Sequence, residues 1–95
     1  MTFDDIVSLM RKGAAAVGFA DRLKFDCGAD GMIFVGPDGV DTTDADADCT
    51  IRITTENLSK LIKGDLNPMT GVMMGKLKVS GNPAIAMKMA ALLKG

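Results

Sequence analysis

Histidine is absent from the 95 residues. That removes the commonest general base and the commonest metal ligand, and it excludes any Ser–His or Cys–His nucleophile arrangement within the chain. Tryptophan and tyrosine are absent too, and four phenylalanines are all the aromatics there are. Nucleic-acid bases would find no stacking platform on such a chain, which is also slightly acidic at a net charge of −1. Cysteine is scarce. Cys27 and Cys49 lie 22 positions apart with no CxxC spacing, each on the apolar phase of a predicted strand. They are expected to be buried, reduced thiols acting as small hydrophobes. Long apolar runs are missing: none reaches the roughly 18 residues a membrane-spanning helix needs. The first residues include Asp4 and Asp5 instead of the basic-then-apolar pattern of a secretory signal. A cytoplasmic location is the expectation.

What the chain has is methionine, eight in all, within a composition that is 47% apolar and 24% charged. This is a globular composition, and 95 residues suffice for one domain, residues 1–95. Methionine-rich packing is soft and adaptable. Charge is unevenly placed. Residues 1–54 hold five basic and ten acidic side chains, net −5, whereas residues 55–95 hold six lysines against Glu56 and Asp65, net +4. The basic half is also the Met-rich half. That pairing suits an apolar ligand with an anionic head, or contact with an anionic membrane surface; the plainer reading is that these lysines only solubilise helix faces.

Local signals order the elements. Thr2 and Asp5 have capping-box spacing, so a helix begins at Phe3. Phe3, Ile6, Val7, Met10, Ala14 and Val17 form one stripe, and Gly18 is the stop signal. Leu23, Phe25 and Cys27 alternate with charged residues as a first strand. Met32–Val35 is a second, apolar enough that both faces could be covered. Gly36-Pro37-Asp38-Gly39 is turn chemistry. Val40–Thr42 begins a third strand and Cys49–Ile53 forms a fourth. The four read as an antiparallel meander. Asp44, Asp46 and Asp48 invite a calcium reading, but an EF-hand loop from Asp44 needs glycine at position 49 and glutamate at 55, where Cys49 and Thr55 stand. An exposed acidic turn is expected instead. Thr54 caps a short helix with Leu58, Leu61 and Ile62 on its apolar stripe and Gly64 at its end. Asn67-Pro68 and Asn82-Pro83 each mark a helix start. The first of these helices runs from Pro68 to Met74, and a fifth strand lies over Lys76–Ser80. The last helix, Pro83–Lys94, is almost wholly apolar, with Ile85, Met89, Leu92 and Leu93 on one arc and Met87 on the opposite side, in need of a separate partner.

Asp48-Cys49-Thr50-Ile51, Leu66-Asn67-Pro68, Gly75-Lys76-Leu77-Lys78-Val79-Ser80-Gly81-Asn82 and Ala86-Met87-Lys88-Met89, with their spacing, resemble the sterol carrier protein (type two) lipid-binding domain family. The resemblance is strong over residues 48–93 and looser over 1–47. It implies an α/β (α+β) fold: a five-stranded, mostly antiparallel sheet covered on one face by helices, with an apolar tunnel between. It further implies binding and carriage of fatty acids, acyl-CoA, sterols or phospholipids, with the last helix bordering the tunnel. On this sequence the implied lining is Ile33, Met69, Met73, Met74, Leu77, Ile85, Met89 and Leu92, and Lys76, Lys78 and Lys88 are the head-group candidates. Two positions depart from the family pattern. Met69 and Met74 stand where many members have glutamine, and Val72 stands where an aromatic is common. The exchanges remove amides and add deformable apolar surface, which favours a simple acyl chain.

Carriage without catalysis is therefore the leading expectation, with a lipid or fatty-acyl ligand, no cofactor, no metal and no nucleic acid. Transient membrane-surface contact is the expected accompaniment. An accessory module that docks on, or presents a lipophilic substrate to, a partner enzyme is the alternative. Enzymatic chemistry has little to draw on beyond Cys27, Cys49 and scattered Asp and Lys, and the acidic run before Cys49 disfavours a thiolate.

Overall fold

Helix α1 spans Phe3–Val17 and starts as the sequence predicts. Asp5 N–H donates to the Thr2 hydroxyl at 3.1 Å, and Thr2 N–H donates to the Asp5 carboxylate at 3.0 Å. Gly18, at φ +62°, ends the helix in the left-handed region where glycine carries no Cβ penalty. The computed structural model describes residues 1–88; the side chain of Val17 lies outside that description, as do Met89, Leu92, Leu93 and the rest of the predicted last helix.

Five strands form one sheet: β1 (Leu23–Asp26), β2 (Met32–Gly36), β3 (Gly39–Asp41), β4 (Cys49–Ile53) and β5 (Leu77–Gly81). Their order across the sheet is β3-β2-β1-β4-β5. Strands β1, β2 and β3 form the expected antiparallel meander, and β5 runs antiparallel to β4. β4 departs from the expectation: it lies beside β1, parallel to it, with Leu23 opposite Cys49 and Phe25 opposite Ile51. The physical reason is the linker. Residues 42–48 are too many for a tight turn, and at roughly 3.3 Å each they reach across three strand spacings of about 4.8 Å. The acidic stretch is thus a crossing, held where Asp44 pairs with Lys24 at 3.0 Å and where Asp48 N–H donates to Arg22 C=O at 3.0 Å.

The registers put Leu23, Phe25, Ile33, Val35, Cys49, Ile51, Ile53 and Leu77 on one sheet face, all buried. Ile6, Val7, Met10 and Ala14 of α1 join the same core, as do Leu58 and Leu61 of α2 (Thr55–Lys63). The opposite face carries Lys24, Asp26, Met32, Phe34, Thr50, Arg52, Lys78 and Ser80, none of them buried. Coverage of both faces of β2 is therefore not realised: Ile33 and Val35 are buried, whereas Met32 and Phe34 are only half-buried. The remaining described helices, α3 (Pro68–Met73) and α4 (Pro83–Met87), start at Asn67 and Asn82, whose side chains accept from Met69 N–H at 2.9 Å and Ala84 N–H at 3.0 Å. Both short helices pack beside β5.

Two outcomes test this frame. Gly81 sits at φ +92°, and a Cβ there would run into the Asp48 carbonyl that accepts from Asn82 N–H. Gly81→Ala is expected to destabilise by about 2–4 kcal/mol in urea titration; a change under about 0.5 kcal/mol would contradict the stated contact. Hydrogen bonds from the Thr2 backbone and hydroxyl hold the Asp5 carboxyl below its ordinary value of 3.8. A folded-state pKa below the unfolded one contributes stability above the unfolded pKa, and that contribution is lost as pH falls through the folded value. Wild type should therefore exceed Asp5→Asn in stability at neutral pH, and the gap should close on acidification below the carboxylate range.

Candidate functional site: an apolar groove at the edge of the sheet

The core rows of the sheet do not all end in the core. Ile33, Phe25 and Ile51 are aligned across β2, β1 and β4 and are fully buried, and the next residue in that row is Val79 of β5, which is partly exposed. Val79 sits two positions from Leu77 on the edge strand, so both point to the helix side. Pro68, Met69 and Val72 of α3 approach from one side, and Pro83, Ala86 and Met87 of α4 from the other. Together these eight residues enclose an open groove of about 270 Å³ whose walls are apolar throughout. This groove is open, and Met89 and Leu92, expected to line an enclosed tunnel, lie outside the described residues.

Gly71 explains how α3 reaches β5 so closely. A Cβ at that position would stand 2.9 Å from Leu77 Cδ2, and Leu66 lies against the same spot. The absent side chain lets the helix backbone settle over Leu77, which floors the groove. Asn57 supports the strand entry by donating from its side-chain amide to Lys76 C=O at 3.4 Å.

Of the residues expected to line a cavity, Met69 and Leu77 do line this one. Ile85 is buried and directed into the core beneath α4. Ile33 lies on β2, separated from β5 by β1 and β4, and is a core residue. Met73 and Met74, 85% and 62% exposed, are not among the groove residues and present a second apolar surface on α3 and its end. Met89 and Leu92 lie outside the described residues. Pro68, Val72, Val79, Pro83, Ala86 and Met87 are groove residues that the site expectation did not include. Two signals pointed to them: Val79 shares the phase of Leu77, and Met87 lay off the apolar arc of its helix. Met69 and Met87 are 75% and 81% exposed even at the groove, so much apolar surface there is uncovered.

The lysines divide. Lys88, at the end of α4, is ion-paired with Asp21 from the α1–β1 connection. Lys76 and Lys78 lie on the far side of β5 from the groove, around a separate depression that also includes Arg52 and Asp26. Both cysteines are buried and unpaired. Burial pushes the Cys27 thiol up, against a hydrogen bond with the Thr55 side chain, and the Asp30 and Asp26 charges push it further. Burial also raises Cys49, opposed by a backbone hydrogen bond at Ala86. The cause at Cys49 is desolvation, in place of the neighbouring aspartates invoked from sequence. No group of three or more His, Cys, Asp or Glu able to hold a metal occurs among the described residues.

A helix-backed mixed sheet with an apolar groove at its edge defines the class: an α+β domain built to leave apolar surface accessible between short helices. The particular family follows from sequence. Residues 3–94 match the model of the SCP-2 sterol transfer family, and the chain belongs to that family. Sterol carrier protein 2 of Gallus gallus is 46% identical over 50 residues, which is 53% of this chain and 9% of that protein, so the match corresponds to a small part of a much longer relative. The fold is shared with sterol carrier protein 2 like 2 of Aedes aegypti, whose crystal structure superposes with a TM-score of 0.77 at 19% identity over 92% of each chain. The palmitated form of that protein in solution gives 0.73 at 20% identity, covering 100% of this chain and 96% of that one. A protein described as UbiJ-SCP2 ubiquinone synthesis protein gives 0.67 at 21% identity over 95% of this chain and 90% of that one.

Thiol chemistry provides the test at this level. With both thiols buried and their pKa values raised, alkylation by iodoacetamide near pH 7.5 should be at least about tenfold slower than in denaturant. Fast stoichiometric modification of Cys27 in the folded chain would show that its burial is wrong.

Proposed function

We propose that this chain binds and carries an acyl-chain lipid without acting on it chemically. The observation that carries the proposal is the groove formed by Pro68, Met69, Val72, Leu77, Val79, Pro83, Ala86 and Met87, apolar on every wall and open to the outside. The driving force is burial. Each methylene removed from water contributes about 0.8 kcal/mol, so a long chain lying in the groove offsets the entropy of its ordering. Methionine walls adjust to chains of different length, because their side chains are unbranched and polarisable. Family membership supports lipid transfer, and the palmitated state of the Aedes aegypti protein supports a fatty-acyl ligand. On this reading residues 1–95 act as one lipid-binding unit.

A second reading rests on Met73 and Met74. Their exposed apolar surface is not part of the groove and would suit a partner enzyme that receives a lipophilic substrate. The resemblance of the fold to a ubiquinone synthesis protein supports this direction.

Native mass spectrometry of gently purified protein should reveal a co-purifying lipid, and a fluorescent fatty acid should be displaced by unlabelled palmitate. Met87→Asp, at an exposed position, should leave the fold intact and weaken fatty-acid binding by about tenfold or more, because chain burial would place a carboxylate against methylenes. Absence of both bound lipid and displacement would refute carriage. Met73→Asp separates the second reading: it should abolish enzyme capture while fatty-acid affinity stays unchanged.

A further inference from the structure

We infer that the face of β5 opposite the groove is a binding site for a phosphoryl group, formed by Arg52, Lys76 and Lys78. Arg52 of β4 and Lys78 of β5 are direct cross-strand partners on the outer face of the sheet. Like charges placed opposite one another on neighbouring strands are destabilising. Lys76 precedes Lys78 by two positions and adds a third cation on the same side. The three line one open depression of about 330 Å³ together with Asp26, Cys27, Gly28, Ile53, Thr54 and Gly75.

The neighbouring acids do not neutralise it. Among the described residues Asp26 is the one carboxylate lining the depression; it approaches Arg52 Nε at 3.6 Å and also accepts from Gly28 N–H at 3.0 Å. Glu56, in the first turn of α2, is paired with Lys60 at 3.6 Å, and Asp30 accepts from the Thr55 hydroxyl. One shared carboxylate thus faces three cations. The edge position of β5 keeps Lys78 accessible, and the Arg52 side chain is largely exposed. A guanidinium beside two ammonium groups, in a concave setting, matches the charge and the several acceptor oxygens of a phosphate. The arrangement costs stability when empty, and an anion relieves it.

This site is separate from the groove and stands whether or not the groove holds an acyl chain. The same phosphoryl chemistry is offered by a free phosphate and by an anionic phospholipid head, and the test distinguishes them. Full-length chain is titrated with inorganic phosphate at constant ionic strength, with chloride as control, while backbone amide shifts are followed. Saturable shifts are expected at Gly28, Thr54 and Gly75. In parallel, the chain is mixed with phosphatidylcholine vesicles with and without phosphatidic acid. The double variant Arg52→Gln/Lys78→Gln should lose at least about tenfold in affinity. It should melt no lower than wild type in phosphate-free buffer, since the repelling pair is gone, and should keep its fluorescent fatty-acid affinity. Response to phosphate alone assigns a free anion. Capture by phosphatidic acid vesicles that the double variant abolishes assigns a lipid head. If neither phosphate nor these vesicles elicit an effect that depends on Arg52 and Lys78, the site does not exist.

Discussion

The parallel pairing of β4 on β1 is the constraint on which the rest of the molecule depends. It aligns Cys49 with Leu23 and Ile51 with Phe25, so that β4 presents the same face as the meander before it. A slip of one residue would turn Cys49, Ile51 and Ile53 out to water and bring Thr50 and Arg52 into the core. The pairing also carries β5 to the edge, because β4 has one free side left once β1 is taken. From that edge placement come both surfaces of interest: an apolar row that leaves the core at Val79, and the Arg52–Lys78 cross-strand pair on the open face.

β5 works as a two-sided partition. Alternation along Lys76-Leu77-Lys78-Val79 sends apolar side chains to the helix face and ammonium groups to the open face. β1 and β4 alternate in the same way, with Lys24, Asp26 and Arg52 on the open face, but among the described residues only the edge strand borders the groove. At the edge the lysines stay in water, where they also discourage edge-to-edge pairing of two chains. The lysine phase and the groove phase are thus a single property of a short strand.

Most of the element order was legible from short-range chemistry. Thr2 with Asp5, Thr54, Asn67-Pro68 and Asn82-Pro83 mark helix starts because capping is decided within three or four residues. Alternation marked the strands for the same reason. Pairing was less legible. Nothing within Cys49–Ile53 says whether its neighbour is β3 or β1; that depends on linker length and on which edge the helices leave free. The lining of the groove was legible in part. Leu77 and Met69 were placed by the family pattern, whereas Met73, at the last position of α3, is exposed and not among the groove residues, which methionine content alone does not reveal. Ile33 failed to reach the groove because apolar character alone does not distinguish the centre of a sheet from its edge.

Gly71 bears on ligand capacity from behind. Its missing side chain leaves room for Leu77 Cδ2, and the same Leu77 floors the groove. The helix-to-strand distance at the back and the depth available in front are therefore set by one side chain acting as a spacer. Adding bulk at position 71 would be felt as a change in the cavity's shape, with no groove residue altered. The shape of such a groove can accordingly diverge between chains whose lining residues are identical, through a position that a comparison of contact residues alone would pass over.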